Sequence, residues 1–81
     1  MSNPPNTALD PNDVAVGNRI AEALLIKSIS VLALAEATGI SRSNLQRSIK
    51  GSRPLNMREF LRISRVLGIA PEVLIPKDLA A

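Results

Sequence analysis

The chain has 81 residues, of which 46% are hydrophobic, a formal net charge of +3, and neither cysteine nor histidine. This length suits one domain with a single hydrophobic core, and so high a hydrophobic fraction argues against a chain without a fold. Without cysteine there is no disulfide framework and no thiolate zinc site, and without histidine the usual general base is missing. We therefore expect no catalytic residue, metal or cofactor, and a protein that is not an enzyme.

No apolar run approaches the length that a bilayer span needs, and the N-terminus, MSNPPNTALDPND, lacks the basic and apolar parts of a signal peptide. We expect a cytoplasmic protein with no membrane partner and no small-molecule substrate.

The first predicted elements are an arm and a helix. Residues 1–9 are rich in proline and asparagine and predict a flexible N-terminal arm. Asp10 followed by Pro11 is typical of a helix start, with Asp10 as the N-cap and Pro11 in the first turn. Asp13 complements the positive end of the same helix, so neither carboxylate requires a catalytic role. Helix 1 is predicted to run to about Ile26.

Four further helices are predicted after helix 1, separated by glycine and proline. Their ranges are 31–38, 42–50, 57–67 and 72–75. Gly39, Gly51 and Gly68 fall between helices, where a left-handed backbone ends a helix. Gly17 falls inside helix 1 and is expected to weaken it slightly. Since no segment alternates like a strand, the sequence predicts an all-α domain of five helices over residues 10–76.

The positive charge is concentrated in the middle of the chain. Between Ala37 and Pro71 there are seven basic residues, six of them arginines, against Glu59 alone. Clustered positive charge favours a polyanionic partner, although a solvated basic face would have the same composition.

Helix 3 has a face without carboxylates. At about 100° per residue, Leu45 and Ile49 point to the core. The residues on the other sides are polar or cationic: Ser43, Asn44, Gln46, Arg47 and Lys50. Arginine, asparagine and glutamine suit DNA because they can form paired hydrogen bonds with base edges. Ala35 and Gly39 allow helices 2 and 3 to cross in a tight corner, so the sequence predicts a helix-turn-helix.

The run from Val16 to Leu74 resembles the lambda-repressor-like, or Cro/XRE, helix-turn-helix domain. The residues that carry the resemblance are Ile20, Ser30, Leu34-Ala35, Gly39-Ile40-Ser41, Leu45, Gly51, Leu61, Ile63, Leu67-Gly68-Ile69 and Leu74. The resemblance implies a compact five-helix bundle and a transcriptional regulator that binds double-stranded DNA sequence-specifically, with helix 3 in the major groove. A phage or prophage repressor of the Cro or immunity type is the preferred interpretation, and restriction–modification controllers are similar. The alternative is an antitoxin or another protein-binding module. The expected location is the bacterial nucleoid.

The resemblance also implies which residues contact DNA. The base-contacting residues would be Arg42, Ser43, Asn44, Gln46 and Arg47. The phosphate-contacting residues would be Ser30, Val31, Lys50, Ser52, Arg53 and Asn56, with Lys27 as a further candidate. Simpler roles exist for Ser41 as a helix cap and for Lys50 beside the negative end of helix 3. Three arginines of helix 4 are solvated, pair with Glu59 or Glu72, or contact DNA; they are Arg58, Arg62 and Arg65.

Three positions depart from the pattern that is usual in the family. Ser48 stands where a buried aliphatic residue is usual, and Ile49 stands where a polar residue is common. We therefore expect helix 3 to be slightly rotated or less tightly packed. Leu25 stands near a position that is often arginine.

Apolar residues near the C-terminus offer a surface for pairing. They are Val73, Leu74, Ile75 and Leu79, and they either form a dimer interface or close the core. Because the predicted tail, 77–81, is short, we expect a weak homodimer or a monomer that pairs only on DNA.

Overall fold

The computed structural model describes residues 9–77, and these form five α-helices. The helices are α1 (Pro11–Lys27), α2 (Val31–Thr38), α3 (Arg42–Lys50), α4 (Met57–Leu67) and α5 (Pro71–Leu74). The all-α prediction is confirmed, and the bounds of α2, α3 and α4 match the predicted ones. The predicted arm and tail lie outside the described residues, apart from Leu9 and Lys77.

Side chains at the helix starts bind the N–H groups that have no partner within the helix. The carboxylate of Asp10 accepts a hydrogen bond from the Asn12 N–H at 2.8 Å, so Asp10 is the N-cap of α1, as predicted. The hydroxyl of Ser41 accepts from the Asn44 N–H at 3.2 Å. Asn56 and Glu59 form a reciprocal capping box at the start of α4.

The ends of α1 and α5 differ from the prediction by one residue. Helix α1 ends at Lys27 because Ser28 takes the left-handed conformation, with φ of 57°, and its N–H bonds to Leu24 and Leu25 carbonyls. Helix α5 begins at Pro71, whose fixed φ suits the first turn.

The core receives one fully buried aliphatic side chain from each helix. These five residues are Ile20, Leu34, Leu45, Ile63 and Leu74. Burial of such a side chain contributes about 1.5–3 kcal/mol to folding. Leu74 therefore closes the core and is not available as a dimer surface, whereas Val73 is exposed and Ile75 half-buried. Leu79 lies outside the described residues.

Gly17 lies at the contact between α1 and α3, which is the most extensive contact between two of the described helices. A Cβ atom on Gly17 would lie 2.2 Å from the Ile49 carbonyl oxygen and 2.7 Å from that of Ser48. The prediction that Gly17 only weakens α1 was therefore incomplete, because the missing side chain lets the two backbones touch. At the end of α3, a Cβ on Gly51 would similarly overlap Val14.

The corner between α2 and α3 uses small and buried residues. Ala35 and Ile40 are buried, and Gly39 has a φ of 79°. The Thr38 hydroxyl donates to the Leu34 carbonyl at 2.8 Å, which ties the last turn of α2 together. The burial of the small residue Ala35 in α2 is what the predicted close crossing of α2 and α3 requires.

Within residues 9–77, none of the helices combines the length and the apolar character that a membrane span requires.

The substitution Gly17→Ala tests the contact between α1 and α3. In an ordinary helix interior alanine is about 1 kcal/mol more favourable than glycine. Here we expect the free energy of unfolding to fall by about 1–3 kcal/mol, because the added methyl group forces the helices apart. Urea denaturation measures the change, with Asn18→Ala as the control at an exposed position of α1. A Gly17→Ala protein as stable as wild type would contradict the close contact.

Candidate nucleic-acid interface

Helix α3 divides into a packed side and a solvent-facing side. Leu45 and Ser48 are buried, whereas Ile49 is only half-buried. The packed side is thus turned toward Ser48, compared with the arrangement expected from Leu45 and Ile49 alone. Ser48 is buried at the position where a buried aliphatic residue is usual in the family, so this placement does not support the expected rotation of helix 3.

The predicted base-contacting residues remain on the solvent-facing side of α3. Arg42, Ser43, Gln46 and Arg47 are exposed, and Asn44 is half-buried. A guanidinium nitrogen of Arg47 donates to the side-chain oxygen of Asn44. Two of the predicted base readers therefore form one hydrogen-bonded pair, which orients the guanidinium on the exposed face.

The start of α2 offers backbone donors. The Ser30 hydroxyl accepts from the Ala33 N–H at 3.0 Å and serves as the helix cap. Val31 follows in the first turn, where backbone N–H groups have no partner one turn earlier and can receive an anion. This predicted phosphate site lies one length of α2, roughly 12 Å, from the corner.

In the segment after α3, most of the polar groups already have partners within the domain. The N–H and hydroxyl of Ser52 both donate to the Arg47 carbonyl, at 2.9 Å and 3.2 Å. The side-chain oxygen of Asn56 accepts from the Glu59 N–H at 2.8 Å, which leaves the amide NH2 group of Asn56 as a donor. Lys50 is exposed, as is Lys27 at the end of α1.

Arg53 points into the domain, where both terminal nitrogens of its guanidinium have partners. One nitrogen donates to the Ser48 hydroxyl and the other to Oε2 of Glu59, each at 2.9 Å. The exposed fractions of the Arg53 and Glu59 side chains are 24% and 15%. The predicted phosphate contact by Arg53 stays a prediction, but this geometry does not favour it.

The ion pair affects the titration of Glu59. The hydrogen bond from Arg53 holds the pKa of Glu59 below its usual value, and the Asn56 N–H and the neighbouring positive charge act in the same direction. Burial of the carboxylate acts in the opposite direction and is outweighed.

The arginines of α4 are not paired with Glu59 as one interpretation expected, because Glu59 is bonded to Arg53. Arg62 instead donates to the Thr38 carbonyl at 3.4 Å, at the negative end of α2. Arg58 and Arg65 are exposed. The inward role of Arg53 was missed from the sequence, although a polar residue at a buried position such as Ser48 needs a partner.

The described residues contain no group of three or more histidine, cysteine, aspartate or glutamate side chains that could hold a metal ion. The arrangement offers hydrogen-bond donors and positive charge on one side of α3, which suits recognition of an anionic polymer by contact.

Comparisons with known proteins support a helix-turn-helix fold. Residues 20–74 match a family model described as helix-turn-helix. The high-resolution crystal structure of the restriction-modification controller protein C.AhdI from Aeromonas hydrophila is similar, with a TM-score of 0.78 and 27% sequence identity. The match covers 82% of this chain and 100% of that one. No curated protein matches the sequence.

The depressed pKa of Glu59 predicts how stability depends on pH. As pH falls, the unfolded chain takes up this proton before the folded protein does, so the stabilisation is complete above the pKa of the carboxyl in the unfolded chain. It is lost as pH falls through the lower native pKa. We expect the gap in free energy of unfolding between wild type and Glu59→Gln to shrink between pH 7 and pH 3, measured by urea denaturation.

The control is the same comparison in an Arg53→Met background, where the hydrogen bond that lowers the pKa is absent. There the gap should depend much less on pH. A gap that stays constant in the wild-type background would contradict the role of this ion pair in the titration of Glu59.

Proposed function

Because the chain belongs to the helix-turn-helix family, as its Cro/XRE resemblance indicated, we propose that it recognises specific sequences of double-stranded DNA. It is a DNA-binding regulator of transcription, and in this proposal α3 enters the major groove. The observation that carries the proposal is the exposed face of α3, which has hydrogen-bonding and cationic side chains and no carboxylate.

The exposed face supplies the groups that distinguish bases. Arginine binds guanine through two parallel hydrogen bonds, and asparagine binds adenine in a similar way. Arg47 and Asn44 are hydrogen-bonded to each other in the absence of DNA, so the guanidinium is already held on the exposed side. Arg42, Ser43 and Gln46 would complete the reading surface.

Phosphate contacts would fix the protein on the duplex. The groups that suit this role are the ammonium of Lys50, the amide NH2 of Asn56 and the backbone N–H of Val31. Ser30 and Ser52 would contribute from the same segments, although their hydroxyls are engaged in bonds within the domain.

A weak homodimer is part of the proposal, formed either in solution or only on DNA. Val73 is exposed, and the exposed fractions of Met57 and Leu61 on α4 are 71% and 42%. Met57 and Leu61 line a groove of about 450 Å³, whose mostly apolar walls also include Phe60 and Ile75. An apolar surface of this kind suits pairing on a palindromic site.

Two biological settings suit such a regulator in a bacterial cell. The sequence favoured a phage or prophage repressor of the Cro or immunity type. Similarity to C.AhdI over all of that chain supports a second candidate, a controller of restriction–modification genes. An antitoxin remains the alternative of another class, and a toxin that co-purifies with the chain would favour it.

Selection from a random duplex pool at moderate salt tests the proposal. We expect repeated rounds of binding and amplification to enrich one motif, and a palindromic motif would support pairing on DNA. If no motif is enriched over the starting pool, the protein does not read sequence and the proposal is wrong.

Substitutions at Arg47 and Lys50 should have different consequences. Arg47→Ala should weaken binding to the selected duplex by about 1–3 kcal/mol and change binding to a scrambled duplex little, because it removes a base contact. Lys50→Ala should weaken both and reduce the slope of log affinity against log salt by about one unit. Titrations at several salt concentrations measure both effects.

Arg65→Ala is the matched control, since it removes one exposed arginine of α4 that has no assigned contact. Equal losses on the two duplexes for Arg47→Ala would contradict its role as a base reader. An unchanged salt slope for Lys50→Ala would exclude a phosphate contact.

A further inference from the structure

A polar chain of hydrogen bonds connects the packed side of α3 to the first turn of α4. It begins at the hydroxyl of Ser48, a residue that is only 2% exposed and occupies a core position of α3. The Arg53 guanidinium bridges this hydroxyl to the carboxylate of Glu59, with 2.9 Å on each side. We call this set the Ser48–Arg53–Glu59 chain.

The far end of the chain is rigidly held. Oε1 of Glu59 accepts from the Asn56 N–H at 3.1 Å, while the Asn56 side chain accepts from the Glu59 N–H at 2.8 Å. The carboxylate is therefore fixed at the start of α4 by the capping box. Because a guanidinium is planar and forked, its two bonds also fix the direction from which it meets Ser48.

Helix α3 gains from such a link because Ser48, one of its two buried residues, has a small polar side chain. A serine side chain fills less of the core than a leucine, so it fixes the rotation of α3 about its axis less firmly. The backbone contact at Gly17 holds α3 against α1 but includes no side chain of Gly17 that could fix rotation. The hydrogen bond to Ser48 is directional, so it can determine that rotation.

We propose that Arg53 is a positioning residue that sets the orientation of α3 through Ser48, and thereby the sequence discrimination of the adjacent Arg47. It does not act as a phosphate contact. The inference rests on the proposed function, because its consequence for binding requires that α3 reads DNA.

Charge supports this assignment over a phosphate contact. The carboxylate of Glu59 lies against the guanidinium, so the pair presents little net positive charge to a nearby phosphate. To bind a phosphate with both terminal nitrogens at once, Arg53 would have to turn its planar fork away from Ser48 and Glu59, which leaves a partly buried carboxylate without its counter-ion.

Two substitutions distinguish the roles. Arg53→Lys keeps the charge but cannot bridge Ser48 and Glu59 with a fixed fork. A phosphate contact would tolerate it, whereas a positioning role predicts a loss of discrimination. Glu59→Gln releases the guanidinium, so a phosphate contact predicts tighter binding to every duplex and a steeper salt dependence. The positioning role predicts weaker discrimination and no steeper slope than its control.

The experiment measures affinity for the selected duplex and for a scrambled duplex of the same composition, at several salt concentrations. We expect each variant to lower the ratio of the two affinities by roughly three- to thirty-fold. The double variant should be no worse than the more affected single one, because both interrupt the same chain. The controls are Arg58→Lys and Glu36→Gln, which make the same chemical changes at exposed positions.

A measurement without DNA separates this inference from the proposed function. The Gly51 and Ser52 N–H groups bond to the carbonyls of Ser48 and Arg47 at 3.0 Å and 2.9 Å. In both variants we expect faster hydrogen exchange at these two amides than in wild type. Gly39 follows the last residue of α2, and hydrogen exchange at its amide should be the same in the variants as in wild type. Circular dichroism establishes whether each variant is folded. If a variant is unfolded, Ser48→Ala takes its place, because this substitution removes only the hydroxyl that accepts the hydrogen bond from Arg53.

The outcomes are distinct. If the affinity ratio and the exchange of Gly51 and Ser52 match the controls, Arg53 is not a positioning residue, while the proposed function stands. If Glu59→Gln tightens binding to both duplexes and steepens the salt slope, Arg53 is a phosphate contact. If wild type prefers no duplex, the proposed function itself is wrong.

Discussion

The direct contact between the backbones of α1 and α3 is the constraint on which the rest of the structure depends. It forms because Gly17 has no side chain, so the carbonyls of Ser48 and Ile49 lie where a Cβ would otherwise stand. A helix of nine residues is too short to be stable alone and takes its stability from such packing. With one side held against α1 and Leu45 in the core, the remaining sides of α3 face solvent.

The polar character of α3 follows from the different roles of its packed side and its exposed side. The exposed side can be entirely hydrogen-bonding and cationic because a single leucine, a serine and a half-buried isoleucine suffice for packing. The buried serine in turn requires a partner, and Arg53 supplies it from the following segment. One arginine of this basic region is thus structural, whereas Arg47, one residue before Ser48, faces solvent. Net charge alone does not separate these two roles, because it does not report where a side chain points.

Local rules were sufficient to predict most of the fold. The bounds of α2, α3 and α4 depend on neighbouring caps and glycines, which are visible in the sequence. Ser28 was missed because serine seldom takes the left-handed conformation that ends α1. The importance of Gly17 was missed because its contact is more than thirty positions away in the chain. Of the site, the exposure of the α3 residues was predictable from helical periodicity, whereas the inward turn of Arg53 depends on tertiary contacts.

Mapping the DNA-binding surface by nuclear magnetic resonance tests the central claim most directly. The 15N-labelled protein would be titrated with the selected duplex, and the change in each amide resonance recorded. If the contact at Gly17 presents α3 to DNA, the largest changes should lie on its exposed side, at Ser43, Asn44 and Arg47. Changes concentrated around Met57 and Leu61, with the resonances of α3 unaffected, would contradict the account.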